Sequence, residues 1–175
     1  TLIVENKVAL MAGLGPHLTA SMKKGEQFTT SEFVLINQYD RCRWHNGGAM
    51  FFDNEGFLNI TCGDGGDSAE GGGLNGVDGA LSRTQRLNHG FFSGIFRIDV
   101  NNNSSTSHAI RRQPGNPANL PAGWPASSTQ GYMIPNNNPW LDPAGSLLEE
   151  YHSHGLRSPH TAHYDKITNE VWIGD

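Results

Sequence analysis

Two stretches of this chain share the same order of residue types, and this repetition constrains the fold more than any other feature of the sequence. Each stretch has a polar or charged start, a short apolar run, a turn that begins with Asp, a second apolar run and a closing Gly-Asp; they span residues 45–64 and 157–175. The turn residues Asp53 and Asp165 lie 112 positions apart (165 − 53). Because a short turn between two apolar runs is typical of a hairpin, the pattern predicts two copies of one β-hairpin.

The repeat places His45 and Arg157, which are also 112 positions apart (157 − 45), at the same point ahead of their hairpins. A fold that arranges equivalent ends of repeated hairpins around one axis would direct an imidazole and a guanidinium to one pocket. An imidazole is suited to act as a general base near neutral pH. A guanidinium fork is suited to a planar carboxylate or a quinone-type ligand.

Each of these two residues also has a purely structural interpretation. His45 and the following Asn46-Gly47-Gly48 could form a turn in which the glycines serve backbone geometry alone. Arg157 could form a surface ion pair with Glu149 or Glu150. The residue pattern by itself leaves these alternatives open.

The other secondary-structure signals are mostly those of strands. Short apolar or alternating runs occupy residues 33–36, 94–100 and 170–173, whereas helical character is restricted to 81–87 and a possible turn or two at 145–151. Many short strands separated by glycine-rich turns predict an all-β architecture with radial or sandwich organisation.

Two long irregular segments separate these strands. Residues 63–79 are rich in glycine, and residues 114–143 are rich in Pro and Asn. Connections of this length are uncommon in a compact domain and tend to be functional when they are ordered. The first segment carries Asp64, Asp67, Glu70 and Asp78 and could hold calcium, but it lacks the known calcium-loop spacings, so a solvated loop is favoured.

Charge and composition remove several classes of function. The net charge is −5 with 12 Lys and Arg residues and no basic cluster, which argues against nucleic-acid binding. No apolar run approaches the length of a membrane helix. Cys42 and Cys62 are compatible with a disulfide or with two thiols. Four histidines between residues 152 and 163 could form a transition-metal site, although no Glu or Cys completes a familiar spacing.

Five motifs in the chain follow one another in an order known from one protein family. They are His45-Asn46-Gly47-Gly48, the run from Phe57 to Gly66, Gly94-Ile95-Phe96-Arg97-Ile98-Asp99-Val100, Ile134-Pro135-Asn136-Asn137-Asn138-Pro139-Trp140, and Gly155-Leu156-Arg157-Ser158-Pro159 with Val171-Trp172-Ile173-Gly174-Asp175. In this order they resemble the glucose/sorbosone dehydrogenase family, the six-bladed β-propellers that include soluble quinoprotein glucose dehydrogenase and aldose sugar dehydrogenase.

The resemblance implies a fold and a chemistry. Residues 1–175 would be a single partial β-propeller domain, about half of a six-bladed ring, with long Gly-rich and Pro/Asn-rich loops, and would be inactive alone. The full-length protein would be a periplasmic or secreted quinoprotein oxidoreductase that uses pyrroloquinoline quinone (PQQ) and calcium to oxidise an aldose sugar or polyol, passing electrons to an acceptor that the sequence does not name.

The resemblance also assigns roles to particular residues. His45 matches the general base, and Arg157, Ser158 and Asn46 match positions at the cofactor. The calcium ligands are expected just beyond Asp175. The alternative within the same superfamily is a non-catalytic binding propeller similar to hedgehog-interacting protein.

Overall fold

A computed structural model of the chain describes eight stretches of residues: 2–4, 7–12, 17–24, 32–39, 45–66, 84–116, 122–123 and 126–175. Cys42, most of the glycine-rich segment (residues 67–79) and the start of the region with helical character (residues 81–83) lie outside these stretches. The predictions made for them stay predictions.

The described residues form thirteen β-strands and no helix. The strands are β1 (Leu2–Val4), β2 (Lys7–Ala12), β3 (His17–Lys24), β4 (Glu32–Tyr39), β5 (Met50–Phe52), β6 (Leu58–Cys62), β7 (Gly94–Ile98), β8 (Ser107–His108), β9 (Ser128–Thr129), β10 (Ile134–Pro135), β11 (Tyr151–His154), β12 (Thr161–Asp165) and β13 (Glu170–Gly174). The predicted all-β class is therefore confirmed. Among the described residues, no helix is long and apolar enough to cross a membrane.

The strands pair into antiparallel sheets that follow the chain order closely. The first sheet has the order β1-β2-β3-β4-β9, and the second has the order β11-β7-β6-β5. Two-stranded ladders join β8 to β10 and β12 to β13. In the second sheet, Met50 lies opposite Ile60 and Cys62 opposite Gly94.

The predicted repeat is present as two hairpins, β5–β6 and β12–β13, with equivalent turns. The Asp53 carboxylate accepts hydrogen bonds from the backbone N–H groups of Glu55 and Phe57, both at 3.0 Å. The Asp165 carboxylate accepts hydrogen bonds from the N–H groups of Ile167 at 2.8 Å and Thr168 at 3.3 Å. In both hairpins the aspartate closes the turn by binding backbone donors ahead of it, as Asp does in Asx-turns.

The two hairpins also contact each other. The rings of Phe51 and Tyr164 stack with centroids 5.7 Å apart. Asn54, in the first turn, donates from its backbone to the Tyr164 hydroxyl at 3.0 Å and from its side chain to the Lys166 carbonyl at 2.9 Å. The repeated units are therefore neighbours in space.

The centre of the second sheet forms the core. Every residue of β6 and β7 is buried. Phe96 meets Phe91 and Tyr151 edge to face, with centroids 4.8 and 4.7 Å apart, an arrangement that aromatic quadrupoles favour. The two central strands are therefore held by packing on both faces. This packing fixes the position of residue 63, the first residue after β6.

The prediction of helical character near residues 81–87 is not met in the part that is described. Residues 84–89 form turns and bends, and the Leu87 carbonyl accepts a hydrogen bond from Leu148 N–H at 2.7 Å. Leu87 packs against the core. The backbone there bonds to a distant segment, and this long-range contact overrides a weak local propensity.

Candidate functional site

His45 lies just before β5 in an unusual backbone conformation. Its φ is 60°, in the left-handed region, and Gly47 and Gly48 follow at 76° and 148°. Residues other than glycine are uncommon there, although Asn, Asp and His are enriched. Such conformations cost free energy and gather at functional sites, which makes His45 a candidate on structural grounds.

The imidazole of His45 is paired with the carboxylate of Asp64. His45 Nδ1 lies 2.7 Å from Asp64 Oδ1, and the two side chains are 17% and 9% exposed. The Gly66 N–H donates to the same oxygen at 2.8 Å. An ionised carboxylate only accepts hydrogen bonds, so the contact assigns the proton to Nδ1 and leaves the lone pair on Nε2. Nε2 has no hydrogen-bond partner within the described stretches.

Asp64 was not expected to have this position. The sequence favoured a solvated loop from residue 63 onward, but residues 63–65 are buried and Asp64 is 6% exposed. The Asp-initiated hairpin turn brings the chain back to where it began, so the residue after β6 meets the residue before β5. The shared spacing of the Gly-Asp that closes each repeat was the signal that could have revealed this contact.

The backbone of Arg157 meets the backbone of His45 at the end of β6. The Asp64 N–H donates to the Arg157 carbonyl at 2.9 Å, and the Gly65 N–H donates to the His45 carbonyl at 3.3 Å. A Cβ at Gly63 would lie 2.5 Å from the Arg157 carbonyl oxygen and would overlap that of His45. The structure thus brings the segments that carry His45 and Arg157 to one place.

The side chain of Arg157 does not form the surface ion pair with Glu149 or Glu150 that the sequence left open as an alternative. Arg157 is exposed, and its guanidinium has no hydrogen-bond or ion-pair partner in the parts of the chain that are described. The Glu149 carboxylate binds Arg111 at 2.7 Å, and Glu150 accepts from the Tyr132 hydroxyl at 2.7 Å. The guanidinium is available to a ligand.

Thr61 joins the two segments a second time, a contact that no pattern in the sequence indicated. Its buried hydroxyl accepts a hydrogen bond from Ala49 N–H at 3.0 Å and lies 2.9 Å from the Pro159 carbonyl, to which it donates. One hydroxyl therefore connects the loop after His45 to the loop after Arg157.

Asp175 repeats the position of Asp64 in the second hairpin, 111 residues later (175 − 64). Its carboxylate accepts hydrogen bonds from the backbone N–H groups of Arg157 at 3.1 Å and Ser158 at 2.5 Å. In each hairpin the closing aspartate returns to the start of its own repeat. The contact uses the Ser158 N–H, so Ser158 can offer a ligand its hydroxyl but not its backbone amide.

Asn46, the remaining residue predicted to contact the cofactor, is half-buried next to His45.

The metal sites that the sequence left open as alternatives gain no support from the described residues. No group of three or more His, Cys, Asp or Glu side chains in the described residues is arranged to hold a metal ion. His152 and His154 lie on β11, and His154 packs edge to face on Trp140 with centroids 5.0 Å apart. The carboxylates at 67, 70 and 78 lie outside the described residues.

Comparison with known proteins gives no assignment, since neither a family model nor a curated protein matches this chain.

Proposed function

We propose that this chain carries part of the active site of a β-propeller quinoprotein that oxidises an aldose sugar or polyol. The observation that carries the proposal is the 2.7 Å contact between His45 Nδ1 and Asp64 Oδ1. A histidine held by a carboxylate at one nitrogen and open at the other is the arrangement of a general base.

The sheet order supports a propeller. Each propeller blade is a four-stranded sheet. Strands β5-β6-β7-β11 make such an antiparallel sheet, and β1-β2-β3-β4 make a second one to which β9 adds a fifth, two-residue strand beside β4; β12–β13 would be the first half of a third. In this arrangement β5 and β12 are equivalent first strands, which accounts for the matching positions of His45 and Arg157. Two and a half blades agree with about half of a six-bladed ring.

The base would act on the substrate hydroxyl. His45 Nε2 accepts the proton as the carbinol carbon is oxidised, and the imidazolium that forms is stabilised by the Asp64 carboxylate at Nδ1. Burial of the pair strengthens this charge interaction relative to water. The left-handed backbone of His45 and the Gly66 N–H hold the geometry before substrate binds.

The residues present fit PQQ in their donor chemistry. Bound PQQ supplies the electrophile that accepts hydride from the substrate. The Arg157 guanidinium, which has no partner in the described residues, would hold the cofactor by its planar donor fork and stabilise negative charge there. The Ser158 hydroxyl and Asn46 would add hydrogen bonds. Calcium would need ligands that the described residues do not provide.

The test uses the protein expressed from its complete reading frame, supplied with PQQ and calcium and assayed with aldoses, polyols and a dye acceptor. We expect His45→Ala to lower kcat by about 10²–10⁴, the usual contribution of a general base, while PQQ binding followed by absorbance is retained. His163→Ala, an exposed histidine on β12, is the matched control. Undiminished turnover by His45→Ala would remove the assignment of the base.

The same experiment separates the non-catalytic alternative. A protein that binds PQQ but oxidises no aldose or polyol, or that binds neither cofactor nor substrate, would be a binding propeller. The partly buried His45–Asp64 pair favours the enzyme, because a binding surface does not need an oriented base.

A further inference from the structure

A cleft lies between the two hairpins at the end where their turns meet. Its volume is about 200 Å³, and it is lined by Phe51, Asp53, Arg97, His152 and Tyr164, among others. His45 and Asp64 stand at the opposite ends of β5 and β6, so the cleft is separate from the candidate active site. It is smaller than the roughly 300–1,000 Å³ sites of drug-sized ligands, which limits its occupant to a molecule of about one ring.

The wall of the cleft is built around a fixed arginine. Arg97 is 4% exposed. Its Nε donates to Asp53 at 2.6 Å, and its terminal nitrogens donate to Glu55 at 2.9 Å and to Asn137 at 2.6 Å. The guanidinium carbon lies 4.4 Å from the centroid of the Phe57 ring. Side chains locked in this way present hydrogen-bonding groups in a set direction, as a binding site requires.

His152 supplies a group that this network does not use. Its imidazole has no hydrogen-bond partner among the residues that are described, although it lines the cleft. Partial burial lowers the pKa of His152, and the positive charge of Arg97 lowers it further. The ring is therefore neutral at neutral pH, with one donor and one acceptor nitrogen.

Charge in the cleft disfavours an anionic ligand. Asp53 and Glu55 are both paired with Arg97, so two carboxylates face one guanidinium. An added anion would therefore meet a net negative charge. The Asp53 oxygens already accept four hydrogen bonds. Hydroxyl groups both donate and accept, so they can use the remaining lone pair of Glu55 Oε2 and the neutral imidazole together. The stacked rings of Phe51 and Tyr164 offer an apolar face to ring carbons.

We propose that this cleft binds a neutral polyhydroxylated molecule of single-ring size, such as a monosaccharide or an inositol. The inference does not rest on the proposed function, because none of the cleft residues belongs to the His45 site.

The test is titration calorimetry of the full-length protein with D-glucose and myo-inositol, and with gluconate as the anionic counterpart. The neutral probes should bind more tightly than gluconate. His152→Ala should weaken binding about fivefold to tenfold, as expected for one lost neutral hydrogen bond. Val171 also lines the cleft, so Val171→Trp, which fills the cleft and keeps its polar groups, should abolish binding. His163→Ala, on the same hairpin but outside the cleft, should change nothing.

A second pair of variants distinguishes binding in the cleft from binding at the candidate active site. Binding in the cleft should persist in His45→Ala and Arg157→Ala. Loss of binding in those variants with retention in His152→Ala and Val171→Trp would overturn the proposal, as would the absence of binding by both neutral probes or tighter binding of gluconate. Thermal unfolding of each variant identifies those that fail to fold, and for them the titration is repeated with Val171→Phe.

Discussion

The carboxylate of Asp64 decides which nitrogen of His45 carries the proton, and that contact yields a test that does not depend on turnover. Replacing Asp64 by Asn keeps an oxygen for the Gly66 N–H but offers the imidazole an amide donor. His45 Nδ1 would then become the acceptor and Nε2 would be protonated. Nitrogen-15 NMR of the imidazole should report this change of tautomer.

Activity should follow the tautomer. If His45 is the base, Asp64→Asn should lower kcat by about 10²–10⁴, since Nε2 can no longer take a proton. Asp175→Asn is the matched control, because the equivalent aspartate contacts backbone amides and should leave the His45 tautomer unchanged. An unaltered Nδ1–H signal in Asp64→Asn would contradict the contact itself.

Glu150 is a buried acid whose ionisation should make stability depend on pH. It is 1% exposed, and its carboxyl accepts a hydrogen bond from Tyr132. Burial raises the pKa of Glu150 from its ordinary value of 4.5 to about 7, against the opposing effect of that hydrogen bond. A folded-state pKa above the unfolded value favours the protonated form in the native state. The resulting stabilisation is complete below pH 4.5 and is lost as the pH rises through about 7.

The neutral variant Glu150→Gln should therefore lack this loss. Between pH 5 and pH 8 the free energy of unfolding of the wild type should fall relative to that of the variant by about 2–3 kcal/mol. Urea unfolding at the two pH values measures the difference. Parallel dependence on pH in the two proteins would show that Glu150 is ionised throughout the range.

At the scale of the secondary-structure elements, Gly63 sets how closely the leading segments of the two hairpins approach. A methyl group there would press on the carbonyl oxygens of both His45 and Arg157. We expect Gly63→Ala to destabilise the protein by about 1–3 kcal/mol, as overpacking does. It should also disturb the His45 imidazole signal, because the segment that carries His45 must move.

Gly56→Ala provides the comparison. Gly56 has a φ of 82° in the far turn, and an added Cβ there meets nothing within 4 Å. Its cost should be of similar size, about 1–2 kcal/mol from the left-handed backbone, but the His45 signal should stay as it is. A normal signal in Gly63→Ala would mean that the hairpin starts are not held at this residue.

The elements that the sequence predicted are those with a strong local pattern. The two hairpins, β4 and β7 all have apolar or alternating runs, and the hairpin turns begin with Asp. The two-residue strands β8, β9 and β10 are too short to leave a periodic signal. The ladder between β7 and β11 joins residues more than 50 positions apart, and its register depends on packing that no local pattern encodes.

At the scale of the whole molecule, the two hairpins carry different chemistry at their two ends. The ends of β5 and β6 near residue 63 hold the paired histidine and contact the backbone of Arg157. The turn ends hold the fixed arginine network and the cleft. The repeat, which aligned His45 with Arg157, predicted that the segments carrying these residues meet; that their side chains share one pocket stays a prediction. The sequence could not predict the grouping at the turn ends, because Arg97, Asn137 and His152 come from three separate segments with no shared spacing.

The closing aspartates of the two hairpins, Asp64 and Asp175, place different limits on which side chains the start of each hairpin can carry. Asp64 holds the first copy through the side chain of His45, so a substitution that removes the imidazole also removes this contact and leaves only the backbone bond from Gly65 to the His45 carbonyl. Asp175 holds the second copy through the backbone amides of residues 157 and 158, which every amino acid except proline provides. The side chain at position 157, and with it the ligand, can therefore change while the attachment of the second hairpin stays intact.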